Sequence, residues 1–176
     1  MLNDITLTSK QSILNHEVLA DEAATLACGE RFAKVMQAGL VVYLHGDLGA
    51  GKTTFVRGVL HELGHVGKVK SPTYTIVEPY QILVNEVFNY TFYHFDLYRF
   101  IDENEWEAAG FREYFNPQSI CIIEWPEKAE HVLPTPDVHV QLLLLTLGST
   151  TLDTSMGRKI QFSAASPLGV QCLTHF

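Results

Sequence analysis

The stretch His45-Gly46-Asp47-Leu48-Gly49-Ala50-Gly51-Lys52-Thr53-Thr54 decides how this chain is read. From Gly46 to Thr53 it has the form G-x-x-x-x-G-K-T. Before it, Leu40-Val41-Val42-Tyr43-Leu44 is a short apolar run with β-branched and aromatic members, the composition of a strand. After it, Phe55, Val56, Val59, Leu60 and Leu63 recur at helical spacing. Strand, glycine loop and helix in that order favour a phosphate-binding loop over a glycine-rich turn that happens to precede a lysine.

The chemistry calls for these residue types. A triphosphate needs several donors converging on a small volume, so backbone N–H groups must point inward with nothing crowding them. Glycines at 46, 49 and 51 remove Cβ atoms and permit the positive φ that wraps a loop around an anion. A helix starting near Lys52 would turn its unpaired N–H groups and positive dipole end toward the phosphates. Lys52 would bridge the β- and γ-phosphates, and Thr53 would offer its hydroxyl to Mg²⁺. The candidate nucleotide-binding residues are therefore Gly46, Asp47, Leu48, Gly49, Ala50, Gly51, Lys52, Thr53 and Thr54.

The remaining composition bounds the function. At 176 residues, 47% of them apolar and 18% charged, the chain has the length and make-up of one globular domain. A net charge of −8 argues against tight, direct RNA binding, since Lys68 and Lys70 form the only close pair of lysines. Apolar runs are too short for a membrane span, and no basic-then-apolar leader is expected. Cys28, Cys121 and Cys172 lack C-x-x-C spacing and read as buried thiols of a cytoplasmic protein.

Along the chain, Ile5–Thr8 reads as a strand and Asn15 to Gln37 as an amphipathic helix closed by Gly39. Gly29 within it costs about 1 kcal/mol relative to alanine, which makes a break there an option. His16 and His61 read as surface or half-buried histidines rather than ligands. Ser71-Pro72-Thr73-Tyr74-Thr75 is either a switch-like segment sensing the γ-phosphate, with Thr73 as its sensor, or a plain loop into a strand. Ile82 to Phe100, with turn residues Asn85 and Asn89, reads as a β-hairpin or two sequential strands. Acidic residues 102–109 are helix-prone, and a short helix runs on to Phe115. Ser119–Ile123 reads as a strand buried on both faces, followed by a brief helix to Ala129. A long strand, 137–147, pairs with 158–164. The expectation is a single-domain α/β P-loop NTPase fold over residues 1–165. It has a mainly parallel central sheet flanked by helices, and an antiparallel β extension. Residues 166–176 are read as a poorly ordered tail to which no function is assigned.

A bound Mg²⁺ also needs a carboxylate at the end of a neighbouring strand. Glu124, delivered by the apolar run before it, and Asp96, in the aromatic-rich strand, both qualify. The competing reading of Asp96 is a structural pair with Arg99 or His94. One acid would hold the metal while the other orients the attacking water, with the division of roles left open.

Together, Gly46–Phe55, Ser71–Thr75, His94-Phe95-Asp96-Leu97-Tyr98-Arg99 and Ile123-Glu124-Trp125-Pro126 resemble the TsaE (YjeE) family, in the same order. That resemblance implies an ATPase that binds ATP or ADP with Mg²⁺ and is needed to form threonylcarbamoyladenosine (t6A) at position 37 of tRNAs reading ANN codons. It implies TsaB and TsaD as partners, tRNA being met only through their complex, and hydrolysis that resets the complex between turnovers. It also implies Lys52, Asp96 and Glu124 as catalytic groups, Thr53, Asp96 and Glu124 as metal groups, Thr73 as part of the switch-like segment, and Trp125 as a functional neighbour.

The alternatives are a small-molecule kinase and a non-catalytic nucleotide switch. A kinase lid would bring several arginines together, whereas Arg99, Arg112 and Arg158 are dispersed in sequence. Their dispersal also leaves no evident arginine finger, so slow hydrolysis by the isolated chain is expected. No Asn-Lys-x-Asp guanine reader is present, which favours adenine.

Overall fold

Alternation along one short strand divides the core. In Val41–His45, Val42 and Leu44 face one buried cluster while Val41 and Tyr43 face another, as the two-residue period of a strand requires. The computed structural model describes residues 14–84, 87–147 and 155–176. In chain order the elements are β1 (Leu14–Leu19), α1 (Glu22–Ala33), β2 (Val41–His45), α2 (Lys52–Glu62), β3 (Val77–Val84) and β4 (Val87–Asp96). They continue with α3 (Glu103–Ala108), β5 (Ser119–Glu124), β6 (Val138–Leu147), β7 (Ser155–Ala164) and α4 (Pro167–Thr174). Short 3₁₀ turns lie at Phe111–Tyr114 and Pro126–Lys128.

The strands form one sheet in the order β1-β7-β6-β2-β5-β4-β3. The central four, β6-β2-β5-β4, run parallel, and antiparallel pairs extend the sheet on both sides. The mixed α/β architecture is as the sequence suggests. β5 is buried along its whole length, because helices or 3₁₀ turns cover both faces of a parallel sheet at this point. Residues of α1, α2 and α4 fill one face; Trp106 of α3, Phe111 and Ala129 fill the other.

Several local expectations are corrected. The segment expected as one helix from Asn15 to Gln37 is a strand and a shorter helix. β1 pairs antiparallel with β7, and its exposure alternates residue by residue. α1 starts at the Asp21 cap, whose carboxylate accepts from the Ala24 N–H at 2.8 Å, and ends at Ala33. Gly39 is not its cap. With φ 92° it turns the chain into β2 and donates its N–H to Ser119 O at 2.6 Å. Asn89 lies within β4 rather than in a turn. The strand expected at residues 5–8 lies outside the described residues.

The tail is part of the core. Ser166 caps α4 by accepting from the Gly169 N–H at 3.1 Å, and Pro167 stands at its first position. Cys172 and Leu173 are buried, and Phe176 packs on Phe162 at 4.5 Å between ring centroids. All three cysteines are buried free thiols, and burial pushes Cys121 up to about 12 and Cys172 up to about 11. Among the described residues no helix is long and apolar enough to cross a membrane.

Gly29 does not break α1; it lets α1 lie directly on α2. A Cβ at Gly29 would stand 2.2 Å from Phe55 O, and one at Gly58 would stand 2.1 Å from Leu26 O. The two helices therefore touch backbone to backbone, and α2 is held where its first turn meets the glycine loop. Helix propensity alone predicts that Gly29→Ala stabilises by about 1 kcal/mol. Overpacking opposes this by roughly 1–3 kcal/mol and should win, because backbone cannot yield as a side chain can. Denaturant unfolding should show both Gly29→Ala and Gly58→Ala destabilised; a gain in either would contradict this crossing.

Candidate functional site

The loop between β2 and α2 is held in shape by neighbours on two sides. Gly46 has φ 143°, and a Cβ there would stand 2.5 Å from Leu142 O of β6. Gly51 has φ 102°, and a Cβ there would stand 2.9 Å from Arg158 Nε. Ala50 is buried beneath the loop, and its carbonyl accepts from Arg158 Nε at 2.9 Å. At α2 the N-cap is Gly51, with no side-chain capping bond and no acidic residue in the first turn. α1 and α4, by contrast, are capped by Asp21 and Ser166. Neither a capping side chain nor a first-turn acid thus meets the open N–H groups and dipole at the start of α2.

Lys52 is 5% exposed, and its ammonium is turned back into the loop. It donates to Gly46 O at 2.6 Å and Asp47 O at 2.9 Å, and lies 3.9 Å from the centre of the Trp125 ring. Burial lowers its pKa from the ordinary lysine value, while Glu124, Asp96, Glu127 and Asp47 act in the opposite direction. Trp125 sits in the left-handed region at φ 59°, an uncommon conformation for so bulky a residue, and its ring is 5.0 Å from that of Tyr98.

The two candidate acids arrive on adjacent parallel strands, with Asp96 of β4 in register with Glu124 of β5. Glu124 Oε1 accepts from Thr53 Oγ1 at 2.9 Å and lies 2.8 Å from His94 Nε2. Asp96 Oδ2 accepts from Thr73 Oγ1 at 2.7 Å and from Ser71 Oγ, and Oδ1 accepts from the Tyr98 N–H at 3.0 Å. The competing pairing of Asp96 with Arg99 or His94 is not among its contacts in the described residues: His94 bonds Glu124, and Arg99 lies over the Tyr74 ring at 4.4 Å. Asp96 instead ties down the 71–75 segment. Just beyond it, Ile76 is held at φ 67°, its carbonyl accepting from the Asp96 N–H at 2.9 Å. A β-branched residue in that region is strained and persists only when its surroundings dictate it.

A cavity of about 410 Å³ opens over this arrangement. Leu48, Gly49, Gly51, Lys52, Thr53 and Thr54 line it from the loop and helix, with Ser71, Thr73, Asp96, Glu124 and Trp125 opposite. Gly46, Asp47 and Ala50 serve it from behind, two of them through the carbonyls that hold Lys52. Its size suits a small-molecule ligand. His45, which opens the quoted stretch, does not line it. It stacks on His139, with Nε2 3.0 Å from His139 Nδ1, and burial lowers both imidazoles.

The family of threonylcarbamoyl adenosine biosynthesis protein TsaE matches residues 19–162. The chain belongs to the TsaE family. A tRNA threonylcarbamoyladenosine biosynthesis protein TsaE from Haemophilus influenzae is 47% identical over 131 residues, covering 72% of this chain and 80% of its own. The protein of that name from Rickettsia felis is 35% identical over 156 residues, covering 86% and 88%. The crystal structure of YdiB from Bacillus subtilis superposes with a TM-score of 0.69 at 29% identity, over 95% of this chain and 97% of that one.

The structure places Ser71, Arg99 and Arg158 along this cavity and His94 behind Glu124, positions the sequence reading did not assign to them. Ser71 and His94 open two of the quoted motifs, so their place in those motifs is the available signal. Arg99 and Arg158, far apart in sequence, both line the cavity. Arg158 is 108 residues from its partner Ala50, and only the β6–β7 register brings the two together.

Asp96→Ala would leave Ser71 Oγ, Thr73 Oγ1 and the Tyr98 N–H without their acceptor, at a cost of about 1–3 kcal/mol for each that stays buried. Hydrogen exchange should then speed up selectively across residues 71–76; unchanged exchange there would show that Asp96 does not hold the segment.

Proposed function

We propose that this TsaE-family chain is the ATPase subunit of the tRNA t6A system, binding ATP with Mg²⁺ and hydrolysing it slowly. The observation that carries the reading is the uncapped N-terminus of α2 facing a glycine loop, with a buried ammonium parked on two loop carbonyls. A phosphate chain entering the loop offers Lys52 anionic oxygens in place of neutral carbonyls, and offers the α2 N–H groups the acceptor they lack.

The donor set fits Mg²⁺. Thr53, Glu124 and Asp96 present oxygen ligands, and no cluster of three or more His, Cys, Asp or Glu forms a protein-only cage among the described residues. Mg²⁺ prefers such sites, keeping waters and phosphate oxygens as its other ligands. Thr53 would hold the ion with Glu124 or Asp96, and the bound ion would neutralise charge developing on the phosphates. The Thr53 hydroxyl hydrogen already points at Glu124, so its lone pairs are available to a cation. The remaining acid orients water for attack on the γ-phosphate. Thr73, whose hydroxyl is held on Asp96, couples the 71–75 segment to the state of the site. Leu48, Gly49 and Thr54 line the loop side of the cavity that would receive the nucleotide.

TsaB and TsaD are the partners this reading requires, with hydrolysis resetting their complex and tRNA reached only through them. The net charge of −8 agrees, since the basic surface must come from elsewhere. Three buried free thiols fit a reducing, cytoplasmic setting. Arg99 and Arg158 at the rim are each tied to the chain itself, by the Tyr74 ring and by Ala50 O, rather than to a mobile kinase-like lid.

Lys52→Ala should abolish ATP binding measured by calorimetry; wild-type affinity in that variant would overturn the assignment. Glu124→Ala should lower phosphate release with TsaB and TsaD present by at least tenfold while changing ADP affinity less than threefold. Parallel losses in both would mean that Glu124 only supports the fold.

A further inference from the structure

We propose that His94 is a positioning residue that orients Glu124 for the chemistry, an inference that rests on the ATPase reading above. His94 lies in β4 two residues before Asp96, fully buried on the face covered by α1 and α2. Its Nε2 is 2.8 Å from Glu124 Oε1, the same oxygen that accepts from Thr53 at 2.9 Å. An ionised carboxylate can only accept hydrogen bonds, so His94 Nε2 carries the proton it donates. Two donors from two different elements, α2 and β4, thus converge on one oxygen.

The consequence is selective use of the carboxylate. Oε1 is consumed inside the protein, and no described residue donates to Oε2, which is left to the cavity that Glu124 lines. A glutamate with only the Thr53 contact could rotate about its terminal bond and present either oxygen. With the rigid imidazole behind it, one orientation is fixed before any nucleotide arrives, which is the preorganisation that transition-state stabilisation needs.

The other ring nitrogen strengthens the argument. His94 Nδ1 is buried and has no hydrogen-bond partner. An apolar residue would fill this strand position without leaving a polar atom unsatisfied, so the histidine carries a stability cost that packing does not explain. The Nε2–Glu124 bond is what that cost obtains. A further positional reason is the strand register. β4 and β5 are parallel with His94 opposite Ile122, so the side chain leans along the strand to reach Glu124 two residues on.

The test compares His94→Gln, whose amide nitrogen falls near the Nε2 position, with His94→Asn, whose amide falls near Nδ1, and His94→Leu, which removes the donor. Phosphate release is measured with the partner subunits present. Separately, the shift in melting temperature is recorded with ATP, in EDTA and in excess Mg²⁺. In His94→Leu, kcat should fall at least tenfold with KM changing less than threefold. The melting shift by ATP in EDTA should be kept, and the added shift from Mg²⁺ should be reduced. His94→Gln should recover most of the rate and His94→Asn little of it. In a Glu124→Gln background, His94→Leu should cost no further rate, since the residue acts through Glu124.

An unchanged kcat in His94→Leu overturns the proposal, as do equal rates in the Gln and Asn variants, or losses that multiply in the double variant. Should His94→Leu fail to fold, the Gln–Asn comparison decides alone. A wild-type chain that ATP does not stabilise overturns the underlying ATPase reading instead, and is recognised before any variant is compared.

Discussion

A lysine ammonium held out of water is the constraint around which the rest of the structure is arranged. Lys52 is buried against two backbone carbonyls and an indole face, and the desolvation that lowers its pKa is only partly offset by the neighbouring carboxylates. Neutral carbonyls are weaker partners for a cation than phosphate oxygens, so the observed bonds are ones a phosphate can replace. The loop, Trp125 and the two acids each make sense as parts of the surroundings of that one charge.

Holding it there demands precision from distant parts of the chain. Parallel pairing of β2 with β5, and of β5 with β4, brings the ends of three strands to one edge, where Gly46, Glu124 and Asp96 follow or finish them. That edge is where ligands bind in α/β sheets. Backbone contact between α1 and α2 at Gly29 and Gly58 fixes the helix whose first turn completes the loop. From the other side, β6 limits Gly46 and β7 supplies Arg158, so the antiparallel extension is part of the loop's support. The strained backbone at Ile76 and Trp125 lies beside the same cavity, where strain most often accompanies function.

How much of this was legible in the sequence depends on the range of the interaction. The glycine loop, the helix after it and the buried strand ending at Glu124 are local patterns, and the structure has each of them in place. Residues 14–19 carry a local helical period, yet β1 is defined by pairing with β7, about 140 residues away, and tertiary pairing overrides local period. α4 was missed although Ser166-Pro167 is a helix-start signal, because its eight residues are too few for a clear period. The carboxylates were identified, but their partners were not: His94 binds Glu124 across a strand pair, and Arg158 reaches Ala50 across the sheet. Residue types disclosed the chemistry of the site, whereas its wiring required the register.

The most direct test of the central claim is a crystal structure with a non-hydrolysable ATP analogue and Mn²⁺ in place of Mg²⁺. The account predicts phosphate oxygens on the N–H groups of the loop and the first turn of α2. It also predicts Lys52 moved from the carbonyls of Gly46 and Asp47 onto those oxygens, and an anomalous metal peak beside Thr53. A nucleotide bound elsewhere, with Lys52 still on its two carbonyls, would contradict it.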